Sequence, residues 1–360
     1  MPCARPAALV LPPPPLAVAG IPVYLERAHE RLSLQALALE RTLARWRQQG
    51  QLAATAARRR PERAAVMEKL AEAFATNAGV LERVRARLLE VLTADTVLRA
   101  VSQTRSDEAA YGAEELLTLV RRDWSHEPEA EAELARMREA VGDALGTHRV
   151  GRALVLGAGL GRMADELAAQ GFAVHAVELS APLAIARALL REGNFKAYAI
   201  ATRNAYRALD QVQGFEARFR PPEPGRTAMS VIADATRLPH ADKSVDLVLS
   251  VYFTDVVPPA KLIPEVKRVL GPGGRFVHVG PLGYHAPDAV DHLAADDLLD
   301  EFRLQSFRVS EPRWFEGAHH ALAGSLHECR FHNLAFSAVS EARFFARPVA
   351  HAGPGVPYSR

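Results

Sequence analysis

From residue 23 to about residue 145, apolar side chains recur at three- and four-residue intervals, as in Leu70, Ala73, Phe74 and Leu81, against a background of Ala, Leu, Glu and Arg. That spacing puts an apolar stripe on one side of a helix, and the scarcity of glycine after Gly20 agrees with it. A helical domain over 23–148 is predicted, its Arg and Glu residues forming the solvated helix faces. From Arg152 the period changes. Short β-branched runs at Ala153–Leu156, Ala173–Val177, Met229–Ala233, Val245–Val251 and Arg275–Gly280 alternate with helical stretches. Such alternation means βαβ units and a parallel sheet covered on both faces. A helix from Asp296 to about Phe307 and two further strands near Arg308–Trp314 and Cys329–Val339 complete a mostly parallel, seven-stranded sheet in an α/β domain over 149–345. Between Asn194 and Ala228 lies a stretch too long for an ordinary connection, ending in the Pro/Gly-rich Pro221–Gly225, and an insertion with a function is expected there.

Composition narrows the classes. The 360 residues are 49% apolar, enough to bury a sizeable core. Prolines at 12–15 break the apolar start, and no run of ~18 apolar residues occurs. Residues 1–22 are therefore read as a flexible leader, 346–360 as a flexible tail, and no membrane association is expected. With 44 basic and 42 acidic residues the net charge is +2, which gives no electrostatic reason for a nucleic-acid partner. Cys3 and Cys329 are too few for a disulfide framework and lack metal-ligand spacing. A cytoplasmic protein without a metal, acting on a small molecule or dipeptide, is the expectation, and a homodimer is compatible with it.

The candidate chemistry starts at Gly157-Ala158-Gly159-Leu160-Gly161-Arg162, a turn between the first strand and the next helix. Glycines there permit positive φ and close approach of backbone to ligand. A dinucleotide fingerprint needs Gly-x-Gly-x-x-Gly; counted from Gly157 its third glycine falls on Arg162, and counted from Gly159 its second does. The run Gly-x-Gly-x-Gly is instead the form usual in class I methyltransferases, a Rossmann-like fold that uses S-adenosylmethionine. Glu178 closes the second strand, where a carboxylate can accept both ribose hydroxyls. Asp234, with Ala235, follows the third strand and can accept from an adenine amino group. Val251 ends the fourth strand and joins the cofactor contacts. Asp246, Gly273 and Gly274 are read as fold features.

Several segments outside the generic fold resemble the carnosine N-methyltransferase family: Arg122-Asp123-Trp124-Ser125, the glycine turn with Ala164 and Glu166, Tyr252-Phe253-Thr254-Asp255, and Gly280-Pro281-Leu282-Gly283-Tyr284-His285. The resemblance implies that Arg122 reaches the methionine carboxylate of S-adenosylmethionine from the helical region, which then forms a lid. It implies that Asp255 holds an imidazole and that Tyr284 and His285 line the same pocket. Two departures stand out. Leu119 occupies the place of a family glutamine, and the family's C-terminal tyrosine cluster is matched only by Glu328-Cys329-Arg330-Phe331-His332-Asn333, in which Phe331 is the nearest substrate contact.

Methyl transfer from a sulfonium is an in-line displacement that mainly needs alignment and exclusion of water. A carboxylate such as Asp255 on an imidazole N–H fixes the tautomer and stabilises the cation formed, which makes Asp255 and His285 the catalytic candidates. Each has a structural alternative: Asp255 as a helix N-cap before Pro258, Pro259 and a helix from about Lys261, and His285 as a loop residue. His240, His278, His292, His319 and His320 have no comparable context and are read as surface or packing residues, and Trp124 as packing. Another metabolite or a protein histidine as acceptor, a non-catalytic S-adenosylmethionine-binding scaffold, and a nicotinamide oxidoreductase are the competing readings, the last disfavoured by Arg162.

Overall fold

The computed structural model describes residues 8–103, 115–147, 151–285 and 288–341. The tail expected over 346–360 and the first residues of the leader lie outside them.

Two long helices, α1 (Ala28–Arg59) and α2 (Ala64–Leu89), pack together. Pro61 sits between them, where its ring cannot continue α1 but fits the start of a new turn. Leu70, Ala73 and Leu81 of the sequence pattern face inward on α2, with Val84 and Leu88 continuing the stripe. Helices α3 (Ala94–Gln103), α4 (Leu116–Trp124) and α5 (Pro128–Leu145) follow.

The sheet begins earlier than the sequence pattern implies. β1 (Leu16–Val18) and β2 (Ile21–Val23) form an antiparallel pair, and β2 joins the main sheet through Val23 opposite Ile232. The end of the supposed leader is thus ordered: Val18, Ile21 and Val23 are buried, and Tyr24 N–H donates to Ile232 O at 2.8 Å. Burying three β-branched residues against the sheet edge outweighs what the prolines before them withhold.

The remaining strands are β3 (Arg152–Leu156), β4 (Ala173–Glu178), β5 (Phe195–Ile200), β6 (Val212–Ala217), β7 (Met229–Ile232), β8 (Val245–Val251), β9 (Leu270–Gly280), β10 (Phe307–Val309), β11 (Arg313–His319) and β12 (Cys329–Ser340). Helices α6 (Arg162–Ala169), α7 (Ala181–Glu192), α8 (Pro259–Val269) and α9 (Ala295–Leu304) lie between them. The spatial order is β1-β2-β7-β4-β3-β8-β9-β12-β10, with β11 paired to β12. From β7 to β9 neighbours run parallel, and β12 runs antiparallel between β9 and β10. Seven strands from β7 to β10 are the class I methyltransferase sheet foreseen from the sequence. The expected strand at 308–314 is two strands, β10 and β11, separated by Ser310–Pro312.

The insertion is not irregular throughout. β5 and β6 form a two-stranded antiparallel sheet of their own, and Asn77 of α2 brackets Tyr198 by donating to its O at 2.9 Å and accepting from its N–H at 2.8 Å. One apolar core joins α1, α2, α4, α7 and this hairpin, so the helical region shares its interior with the sheet domain. α8 and α9 cover one face of the sheet, while α5 and α6 cover the other. Among the described residues no helix is long and apolar enough to cross a membrane.

Candidate active site

The parallel strands end on one side of the sheet, and the loops there carry the residues singled out above, as ligand sites of open α/β sheets do. At the turn after β3, Gly157, Gly159 and Gly161 have φ of +57°, +54° and +78°, a left-handed conformation that side chains resist. Each also has a different neighbour. A Cβ on Gly157 would meet the Phe253 ring, with Cδ2 at 2.1 Å, and one on Gly161 would meet the Arg187 guanidinium at 2.3 Å; one on Gly159 would stand in open space. Arg187 is buried and paired with Asp165 at 2.7 Å, so Gly161 is a packing requirement. Gly159 borders space that none of the described residues fills.

Glu178, at the end of β4, accepts from Gly159 N–H at 2.7 Å and from Ser180 N–H at 2.9 Å. Burial raises its pKa, and the backbone donors hold it down. Asp234 accepts from Thr236 N–H at 2.9 Å and Thr236 Oγ1 at 2.7 Å, and pairs with Arg31 of α1 at 3.2 Å. Its carboxyl sits below the usual range because those donors outweigh desolvation, the largest single influence. Ala235 is buried beside it, and Val251 ends β8 half-buried. Open space beside Gly159, a carboxylate at each of two neighbouring strand ends and the cation of Arg122 suit a nucleoside with a charged amino-acid tail, so the residues present fit S-adenosylmethionine.

The helical region reaches this turn through α4. Trp124 is fully buried and its Nε1–H donates to Leu160 O at 3.1 Å. Arg162, at the place where a dinucleotide fingerprint would want glycine, fills the gap: its guanidinium lies 5.3 Å from the Trp124 ring centroid and donates to Asp123 O at 2.9 Å and to Glu131 at 3.2 Å. Arg122 is mostly buried and bonds Asp123 at 2.7 Å. Burial works against its charge, but Asp123 wins and keeps its pKa above the ordinary value.

Asp255 is buried, 4% exposed, and accepts from Gly283 N–H at 2.7 Å; its own carbonyl accepts from His285 N–H at 2.9 Å. Burial raises its pKa, opposed by the Gly283 N–H and His285. This pairing joins the Tyr252–Asp255 motif after β8 to the Gly280–His285 motif after β9, so the structure brings Asp255, Tyr284 and His285 together. Asp255 caps no helix: Pro258 is the N-terminal neighbour of α8, without a side-chain cap. Tyr284 stacks on His292 at 5.6 Å, its pKa pushed up to about 12 by burial and by Asp255. Because Phe253 of the same motif rests on Gly157, the motif touches the cofactor turn directly.

Phe331 belongs to a second group. Tyr252 stacks on His319 at 5.0 Å, and Phe331 meets both edge-on or tilted, at 6.2 and 5.2 Å. Tyr252 has φ of +55°, and its pKa is pushed up to about 12 by burial and by Glu133. His319, His320, Tyr252 and Glu133 were not legible as site residues: the first two read as surface or packing histidines, and Glu133 lies 186 positions from His319. The only local signal was a pair of adjacent histidines at a strand end. His278 and His240 are packing residues as expected, His278 bonded to Thr254 at 2.8 Å and His240 to His175 at 3.0 Å. Asp246, likewise, serves the fold, accepting from Arg152 N–H at 2.8 Å.

With that geometry in place, the comparison with protein families is decisive: the model described as carnosine N-methyltransferase matches residues 102–341. The chain belongs to the carnosine N-methyltransferase family. It is accordingly an S-adenosylmethionine-dependent methyltransferase. The family match spans α4 through β12 and so includes the glycine turn, Asp255, His285 and the aromatic group. Solved structures similar to the chain include an S-adenosylmethionine-dependent methyltransferase from Methanosarcina mazei, 18% identical, covering 56% of this chain and 97% of its own, with a TM-score of 0.39. Another is the 1,6-didemethyltoxoflavin-N1-methyltransferase of Burkholderia thailandensis, 17% identical, covering 66% and 93%, with a TM-score of 0.36. A search of curated proteins gives no match.

Proposed function

We propose that the protein methylates an imidazole nitrogen of carnosine or a related histidine-containing small molecule. The observation that carries this reading is the buried carboxylate of Asp255, tied to the Gly280–His285 segment and adjacent, through Phe253, to the cofactor turn. A buried carboxylate with a free lone pair is a strong acceptor for an N–H, because little water competes.

When bound, S-adenosylmethionine supplies an electrophilic methyl group on a sulfonium. Glu178 would accept the ribose hydroxyls, Asp234 with Ala235 would border the adenine, and Gly157, Gly159, Gly161 and Val251 would shape the floor. Arg122 would meet the amino-acid carboxylate by a charge-assisted pair. Asp255 would accept the N–H of the acceptor imidazole, which would leave the other ring nitrogen bare as the nucleophile, and its charge would offset the positive charge that develops on the ring. His285 and Tyr284 would line the pocket beside Asp255, and Phe331 would reach it from the neighbouring group of Tyr252 and His319. Trp124 and Arg162 hold α4 against the glycine turn and so exclude water.

A second acceptor remains in contention on one observation: Phe331 packs with Tyr252 and His319, where the resemblance implies a tyrosine cluster. Incubation with labelled S-adenosylmethionine and a panel of carnosine, homocarnosine, free histidine and cell-extract metabolites tests the reading. Label in carnosine or homocarnosine is expected. Label only in another metabolite or in protein redirects the acceptor, and cofactor binding with no transfer to any of them overturns the catalytic reading in favour of a scaffold.

A further inference from the structure

We propose that Glu133, His319 and His320 form a binding site for one divalent transition-metal ion of the zinc class. One donor atom from each lies within 4.8 Å of the others. Nitrogen and oxygen donors at ~2.0–2.2 Å from zinc in tetrahedral geometry lie about 3.4 Å apart, and His319 Nδ1 already stands 3.0 Å from Glu133 Oε1.

Three features of the cluster point to an ion. Glu133 is a carboxylate on α5 with 3% of its side chain exposed, an environment that demands compensating partners. Its Oε2 accepts from His320 N–H at 2.9 Å, which holds His320 in a left-handed conformation with φ of +52°. The Nδ1 of His320 is buried and has no hydrogen-bond partner among the described residues. An outlying backbone angle next to an unsatisfied ring nitrogen is the kind of strain that accompanies function. Arg122 also feels the charge of Glu133, but each nearby cation has a closer carboxylate, Asp123 for Arg122 at 2.7 Å and Glu127 for Arg121 at 2.6 Å.

The donor set names the class. Two imidazoles and a carboxylate suit zinc, cobalt(II) or nickel(II) better than calcium or magnesium, and three protein ligands leave a position open. A bound ion would pin the end of β11 to α5 and fix the ring of Tyr252, which stacks on His319. Its role is to position the wall of the acceptor pocket.

The test uses untagged full-length protein, stripped with chelator and titrated with zinc by calorimetry, then with cobalt(II) by visible absorption. One equivalent of zinc per chain and cobalt d–d bands are expected. His320→Asn and Glu133→Gln should each weaken zinc at least about tenfold with unchanged far-ultraviolet circular dichroism, whereas His332→Ala, at an exposed histidine, should leave it unchanged. If Glu133→Gln fails to fold, His319→Asn takes its place. Absence of stoichiometric uptake, or uptake that survives both ligand substitutions, overturns the site.

Discussion

The two halves of the proposed active site are built differently. The cofactor half is assembled mainly from loops that follow neighbouring parallel strands, with Arg122 added from α4: Gly159 bonds Glu178 nineteen positions away, and both lie in a single βαβ unit. The proposed acceptor half takes Asp255 from the loop after β8, Gly283 and His285 from the loop after β9, and Phe331 from β12, where it packs on His319 of β11. Each of those groups comes from a different strand end, held by long-range pairing. Local construction makes the first half a property of short motifs, while the second depends on the whole sheet being in register. The contact of Phe253 with Gly157 couples them.

Breaking that contact is expected to have the largest effect. Gly157→Val places a β-branched residue at φ +57° and drives its Cβ into the Phe253 ring. Left-handed strain plus overpacking should cost about 2 kcal/mol or more and abolish cofactor binding in calorimetry. Gly159→Ala sharpens the comparison. Its Cβ meets nothing within 4 Å, so the fold should persist at a cost of about 1 kcal/mol, while cofactor affinity falls. A Gly159→Ala protein that binds cofactor as tightly as wild type would mean that the space beside Gly159 is not the cofactor's.

This contrast also explains what the sequence could show. The glycine turn, Glu178 and Asp234 follow strands with strong β-branched patterns, so their places were legible. Asp255 and His285 were found only through a resemblance, since nothing in their spacing says that Gly283 N–H lies on Asp255. β1 and β2 were hidden by Pro12–Pro15, and their partner Ile232 is more than 200 positions away. His319 and His320 looked ordinary because Glu133 is distant in the chain. The β5–β6 hairpin was hidden by its Pro/Gly-rich neighbour at 221–225, although Phe195, Ala197, Phe215 and Ala217 carry a buried alternation.

The next expected effect is on stability in acid. Burial lowers the pKa of His175 and of His278 to about 4 and that of His240 to about 3, the last with help from His175 and Arg268. Unfolded histidines titrate near ~6.5, so between that pH and about 4 the unfolded chain binds more protons than the native one. Stability is therefore full above pH ~6.5 and is lost as the pH falls toward the native values. Thermal unfolding at stepped pH should show the midpoint dropping through that window, and His278→Asn should shallow the slope.

Smaller effects should separate the helical region from the sheet. Trp124→Phe removes the Nε1–H bond to Leu160 O but keeps an aromatic ring, at about 1 kcal/mol in chemical denaturation; cofactor affinity should fall, because this bond holds α4 against the glycine turn. Arg31→Ala breaks an ion pair that is about one-third exposed on the arginine side and should cost well under ~1 kcal/mol, with any change confined to cofactor affinity.

The separability of the two halves is tested most directly by Asp255→Asn, measured for S-adenosylmethionine affinity by calorimetry and for methyl transfer to carnosine under saturating cofactor. Unchanged cofactor affinity with turnover reduced by about 10²–10³-fold is the predicted result. Turnover equal to wild type, or a loss of cofactor affinity that accounts for the whole defect, would contradict the assignment of Asp255 to the acceptor.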